Sequence, residues 1–235
     1  MNWYEIKNID AIDSPALIVY KDRVRQNIHS LIEMKDVEHL RPHVKTNKIA
    51  EVCKQMLDAG ITKFKCATIA EAEMLGSIKA PDVLLAYQPT VTKAKRLLQL
   101  VQQYQSTYFS CLIDDAINAE NISNIFLEKN EVIDVFIDLN VGQNRTGIKP
   151  ENAFDLFNEC ENFTGINIVG LHAYDGQIRN TDVAERKEKT DAAFDAVERM
   201  DNNAYCILMS QLLRNANMLD DERSALAEAQ ANFKE

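Results

Sequence analysis

The sequence predicts an α/β protein built as a parallel (β/α) barrel, and three observations lead there. Short apolar runs rich in β-formers alternate with helical-period segments from residue 15 to about 200, joined by brief connections. That pattern calls for parallel strands with crossover helices. The run Val132 to Leu139 carries Ile133, Val135, Ile137 and Leu139 on one face and Asp134, Phe136, Asp138 and then Asn140 on the other. A wholly apolar face packs under helices, while a mixed polar face suits a barrel interior. The turn after Tyr20 reads Lys21-Asp22-Arg23 without glycine. An open doubly wound fold would carry a glycine-rich phosphate loop there, so the closed form is favoured.

Taken in order, Pro15 to Tyr20 reads as a strand, and Lys21-Asp22 opens a helix with Val24, Ile28, Leu31 and Ile32 at helical spacing. Val37 to Thr46 reads as a strand running into a helix from about Asn47 to Asp58, stopped by Gly60. Lys63 to Thr68 is a strand. Thr68, with Glu71 three residues on, forms a capping-box pattern for a helix from Ala70 to Ile78. Strands at Asp82 to Tyr87 and Thr107 to Ile113 flank a helix from Thr90 to Gln103, and Asp114 is expected to cap a helix to about Glu128. After Val132 to Leu139, a helix from Pro150 to Cys160, a strand from Asn167 to Tyr174 and a charged helix from Thr181 to Met200 complete the alternation.

Composition narrows the partners. A net charge of −10 argues against nucleic acid, which needs a basic surface. No apolar run reaches the length of a membrane span and Met1 to Glu5 lacks a signal-peptide pattern, so the expectation is a cytoplasmic protein with no membrane partner. Cys53, Cys66, Cys111, Cys160 and Cys206 lack Cys-x-x-Cys spacing and read as free thiols.

Three stretches could carry chemistry. The first is Arg41-Pro42-His43-Val44-Lys45-Thr46-Asn47-Lys48. On a strand, Arg41, His43, Lys45 and Asn47 would share one face. Lys45 is then either a solvated amine at a strand end or a buried amine with a lowered pKa, suited to covalent carbonyl chemistry. The second is Asp138 to Ile148, where Gly142 and Gly147 bracket Arg145 just past a strand end. Arg145 is either a solvated loop residue or a holder of a phenolate or carboxylate. The third is Gly170-Leu171-His172-Ala173-Tyr174-Asp175-Gly176, with His172 and Tyr174 on one face. A core histidine is the plain alternative for His172.

These stretches resemble the D-threonine aldolase family of alanine-racemase-like, fold-type III pyridoxal-phosphate (PLP) enzymes. The resemblance runs from about Ile12 to Met200 on Arg-Pro-His-Val-Lys-Thr-Asn-Lys, Asn-Arg-Thr-Gly and Gly-Leu-His-Ala-Tyr-Asp-Gly. It implies a barrel of the alanine racemase N-terminal type, with Lys45 carrying PLP, Arg145 near its phenolic oxygen, and His43, His172 and Tyr174 around it. It implies a lyase that cleaves β-hydroxy D-amino acids to glycine and an aldehyde. The alternatives are a D-serine dehydratase, a racemase of the same fold, or a non-catalytic PLP-binding remnant. Cys66-Ala67-Thr68 with Glu71 and Glu73 also resembles a pocket-lining stretch of the family, although capping and packing explain it equally well.

The resemblance ends near residue 200. The family continues into a glycine-rich phosphate loop, two last strands and a C-terminal β-domain with a divalent-metal site. Here no glycine follows Gly176, and Asp201 to Glu235 reads as helix. The expectation is therefore an incomplete barrel domain over residues 1–200, with about six of the family's eight strands. A helical tail follows over 201–235, without metal ligands and with little or no activity of its own. An unclosed barrel leaves sheet edges open to a second chain, so a homodimer is compatible with it.

Overall fold

The computed structural model describes residues 4–198. Five parallel strands pair in sequence order: β1 (Lys63–Cys66), β2 (Asp82–Leu85), β3 (Tyr108–Ile113), β4 (Ile133–Leu139) and β5 (Ile166–Ala173). The helices are α1 (Lys21–Met34), α2 (Ala50–Asp58), α3 (Ile69–Ser77), α4 (Val91–Gln103), α5 (Ala116–Leu127), α6 (Ala153–Cys160) and α7 (Val183–Glu198). Because each strand lies beside its predecessor, the chain never reverses direction across the sheet. Right-handed crossovers then put the connecting helices on one side, as in a barrel wall. Helices α3, α5 and α6 do pack on the strands they connect.

The core lies between those helices and the outer face of the sheet. Phe64, Val83, Cys111, Val135 and Ile137 point outward and are fully buried, against Leu75, Leu97, Ile122 and Phe126 from the helices. The capping box at α3 forms as the sequence predicts: Thr68 Oγ1 accepts from the Glu71 amide. The returning bond goes from the Ala67 N–H to Glu71 Oε2, one residue earlier than the usual pattern.

The opposite face carries polar residues. One row across all five strands reads Lys65, Leu84, Ser110, Asp134, Asn167. Further along, β5 takes one extra residue: Val135 pairs with Ile168 but Phe136 pairs with Gly170, leaving Val169 as a bulge. A bulge shifts the alternation by one. Gly170 and His172 thereby join Asn167 on the polar face. Gly170 has no room for a side chain, since a Cβ there would lie 2.8 Å from the Phe136 ring.

Four expectations from the sequence change. Pro15 to Tyr20 forms no strand among the described residues, and Leu17 is 82% exposed. Val37 to Thr46 is not a strand: two 3-10 turns, Val37–His39 and Val44–Thr46, flank a single bridge from His43 to Lys65. Pro42 has no N–H to give a ladder and contributes only its carbonyl, to the Lys65 amide. The lone bridge occupies the sixth strand position, at the edge of β1. The next helix begins at Ala50 rather than Asn47, because Lys48 sits at φ +53° and Asn47 Oδ1 accepts from the Ile49 amide in a turn. Finally, Asp115 and not Asp114 caps α5, through the Asn118 amide. The expected helical tail over 201–235 lies outside the described residues.

Candidate active site

The strand ends converge on a chain of hydrogen bonds along the C-terminal rim of the polar face, where barrel folds place their chemistry. Lys65 Nζ donates to His172 Nε2 at 2.7 Å, and His172 Nδ1–H donates to Asp138 Oδ1 at 2.6 Å. Asp138 Oδ2 accepts from Thr146 Oγ1 and from Gln88 Nε2, each at 2.9 Å. Gln88 Nε2 also donates to Asp114 Oδ2 at 2.9 Å, which accepts from the Gly147 amide as well. Side chains from the ends of all five strands and from one loop are thus tied together. The His172 and Asp138 side chains are only 13% and 5% exposed, so the contacts act with little screening by water.

Electrostatics follow from this packing. Burial pushes the Lys65 amine below the usual lysine range; Asp138 partly offsets that, while Lys45, Arg145 and Arg41 push it further down. For Asp138, burial alone would raise the carboxyl, but the bonds from His172, Gln88 and Thr146 outweigh it and hold the group below its ordinary value. Asp114 goes the other way, raised chiefly by burial. His43 falls from 6.5 to about 4, first through burial and then through the cations of Lys45 and Lys65. Its ring is therefore neutral at pH 7, and its Nδ1 accepts from the Lys45 amide at 3.2 Å.

The loop carrying Arg145 is built by Asn140. Its Oδ1 accepts from the amides of Gly142 and Asn144, and its backbone N–H bonds to the Ile148 carbonyl. Gly147, at φ +96°, passes so close to the preceding strand that a Cβ would meet the Asn140 nitrogen at 2.8 Å. Only glycine fits. The turn brings the Arg145 guanidinium to 5.5 Å from the Tyr174 ring centre, and Lys65 Nζ lies 5.4 Å from the same ring.

The sequence-predicted residues His43, Arg145, His172 and Tyr174 therefore surround Lys65. Lys45 stands on the short 3-10 turn, with its side chain exposed and its charge acting on both His43 and Lys65. Arg41, expected on the same face, instead forms a two-pronged ion pair with Asp82, at 2.6 and 2.7 Å. Sequence reasoning missed Lys65, Asp138, Gln88 and Asp114. Lys65 was within reach, because in Lys63-Phe64-Lys65-Cys66 the alternation puts both lysines opposite two apolar residues. Among the described residues, Asp36, Glu38 and His39 bring metal-ligand atoms together, but all three are exposed. They adjoin the start of β1, where Lys63 Nζ reaches the Glu38 carbonyl at 3.0 Å, away from the rim. No described helix is long and apolar enough to cross a membrane.

The exposed Lys45 amine, the neutral ring of His43 and the Arg145 guanidinium beside Tyr174 are chemically suited to an aldehyde that also carries an oxyanion.

Comparison with known proteins agrees on one family. The chain is 25% identical to a D-threonine aldolase from Arthrobacter sp over 179 residues, covering 75% of this chain and 47% of that protein. It is 27% identical to the D-threo-3-hydroxyaspartate dehydratase of Delftia sp. (strain HT23) over 139 residues, covering 58% of this chain and 36% of that protein. The crystal structure of D-threonine aldolase from Filomicrobium marinum superposes with a TM-score of 0.74 at 25% identity, over 84% of this chain and 53% of the other. The chain thus spans about half the length, or less, of the relatives it matches. The sheet, its one-sided helices and the rim belong to the alanine racemase N-terminal fold. Since the family described as alanine racemase, N-terminal domain, matches residues 19–218, the chain belongs to that family.

Proposed function

We propose that this chain is the cofactor-binding part of a PLP-dependent lyase acting on β-hydroxy D-amino acids, with Lys45 as the attachment amine. The observation that carries the reading is the convergence of Lys45, His43 and Arg145 on one rim, within stretches that resemble motifs of the D-threonine aldolase family. When bound, PLP supplies an electron sink for the bond broken at the substrate α-carbon. Neutral His43 offers a ring and no competing charge beside Lys45. Arg145, fixed by the Asn140 loop and backed by Tyr174, would hold the cofactor's phenolic oxygen. His172 and Asp138 hold the floor of the site.

Likeness to the Delftia dehydratase supports a second reading, loss of the β-hydroxyl as water. The products separate the two: glycine and an aldehyde for cleavage, a 2-oxo acid and ammonia for dehydration. Attachment is tested by incubating the chain with PLP, reducing with borohydride and mapping the peptides. The expected adduct is on Lys45. An adduct on another lysine, with Lys45 unmodified, would overturn the assignment. Arg145→Ala should weaken PLP binding roughly 10- to 150-fold, as loss of a charge-assisted contact does, while leaving the fold intact.

A further inference from the structure

We infer that Lys65 is the proton-transfer residue of this site, with His172 and Asp138 as the positioning residues that hold and tune its amine. The inference deepens the function proposed above and rests on it for the identity of the substrate. It starts from a cost. An ammonium on a strand interior is expensive to desolvate unless paired, yet the Lys65 amine touches no carboxylate of the described residues directly. Its partner is an imidazole, and the carboxylate stands one step further along, at Asp138.

That order has a chemical consequence. With Lys65 protonated, its N–H donates to Nε2, and Nδ1–H of the neutral ring donates to Asp138. When Lys65 gives up a proton to solvent, the ring keeps both contacts, because a neutral amine still has N–H bonds to donate. The freed lone pair on Nζ can then accept a proton from a substrate O–H or C–H placed beside Tyr174. An N–H bond forms, the O–H or C–H bond breaks, and the electron pair stays with the substrate. The reverse step returns the proton to the product.

The charges around Lys65 favour an amine that can exist in both forms. Lys45 and His43 face it from the turn beside β1, Arg145 from the loop after β4, Arg41 from the segment before the turn, and Asp138 and His172 from β4 and β5. The neighbouring residue on β2 is the uncharged Leu84. Burial first, and then three cations against one carboxylate, hold the amine below the ordinary lysine range. By contrast, Lys45 is exposed and free to serve as the attachment point, so the two lysines divide the work.

The test needs no cofactor. Trace acetylation of the unliganded chain with acetic anhydride across a pH series, read peptide by peptide in a mass spectrometer, gives the titration midpoint of each lysine. Lys65 should react as an amine whose midpoint lies below the ordinary lysine range. Asp138→Asn should lower that midpoint further, since it removes the one opposing charge. His172→Gln, which keeps a side-chain contact, should also move it and serves if Asp138→Asn unfolds. An ordinary midpoint that ignores both substitutions would overturn the inference. A second arm uses the PLP-loaded chain and follows exchange of the α-proton of D-threonine for deuterium by NMR. Lys65→Met should retain the borohydride adduct on Lys45 but lose exchange by 100-fold or more. Retained exchange would overturn the role of Lys65. Absence of any adduct would overturn the proposed cofactor instead, with the acetylation profile still deciding whether Lys65 is tuned.

Discussion

The two faces of the sheet follow different rules. The outer face is held by close-packed apolar side chains, with Phe64, Val83, Cys111, Val135 and Ile137 all fully buried. The inner face is held by polar contacts in series, from Lys65 through His172, Asp138 and Gln88 to Asp114. Burial of apolar area is non-directional and strong, so the outer face sets stability. A hydrogen-bonded series is directional and modest in net energy, so the inner face sets where charges sit.

Substitutions can sharpen that contrast. The largest effect should come from the outer face: Phe64→Ala should cost about 3–5 kcal/mol in urea unfolding. Gln88→Leu on the inner rim should cost less, about 1.5–3 kcal/mol, because Asp114 and Asp138 lose their shared donor. It should also loosen the Arg145 loop, seen as faster amide exchange at Gly147. Equal losses from the two variants would break the comparison.

Acid should separate the faces without mutation. His43 titrates at about 4 in the fold and near 6.5 when unfolded. The unfolded chain therefore binds the extra proton first. Stability should be level above pH 6.5 and fall as pH drops from 6.5 to 4. The slope should stay below the one-proton limit of about 1.4 kcal/mol per pH unit, since the ring is partly solvated. Asp138 and Glu71, both held low, lose stability only at still lower pH, while Asp114, held high, gains as it protonates. His43→Gln should flatten the window between 4 and 6.5, and an unchanged slope would show that another group is responsible. The smallest effect belongs to neither face: Lys187→Ala removes an exposed helix-surface pair with Asp191 and should leave the unfolding midpoint unchanged.

Much of the outer face was legible from residue order. Alternation in Ile133 to Leu139 gave the strand and its buried side, and Thr68 with Glu71 gave the start of α3, because both signals are local. The strand expected through Pro42 failed for a local reason too: proline has no N–H to give a ladder, and only the His43 bridge forms beside it. The rim was harder to see. Gln88 meets Asp138 across 50 positions and Lys65 meets His172 across 107, separations at which no periodicity speaks. The Arg145 and Tyr174 motifs were visible only as wording, and their closeness to Lys65 needed the barrel-type order of strands.

The bulge at Val169 makes the register of β5 a chemical variable. Iron it out, so that Val169 pairs with Phe136, and every side chain from Gly170 onward changes sides: Leu171 would stand where His172 meets Lys65, and the imidazole would turn to the helix-packed face. No residue type in the site would have altered, yet the amine would lose its partner. Along this strand, counting decides the chemistry before identity does.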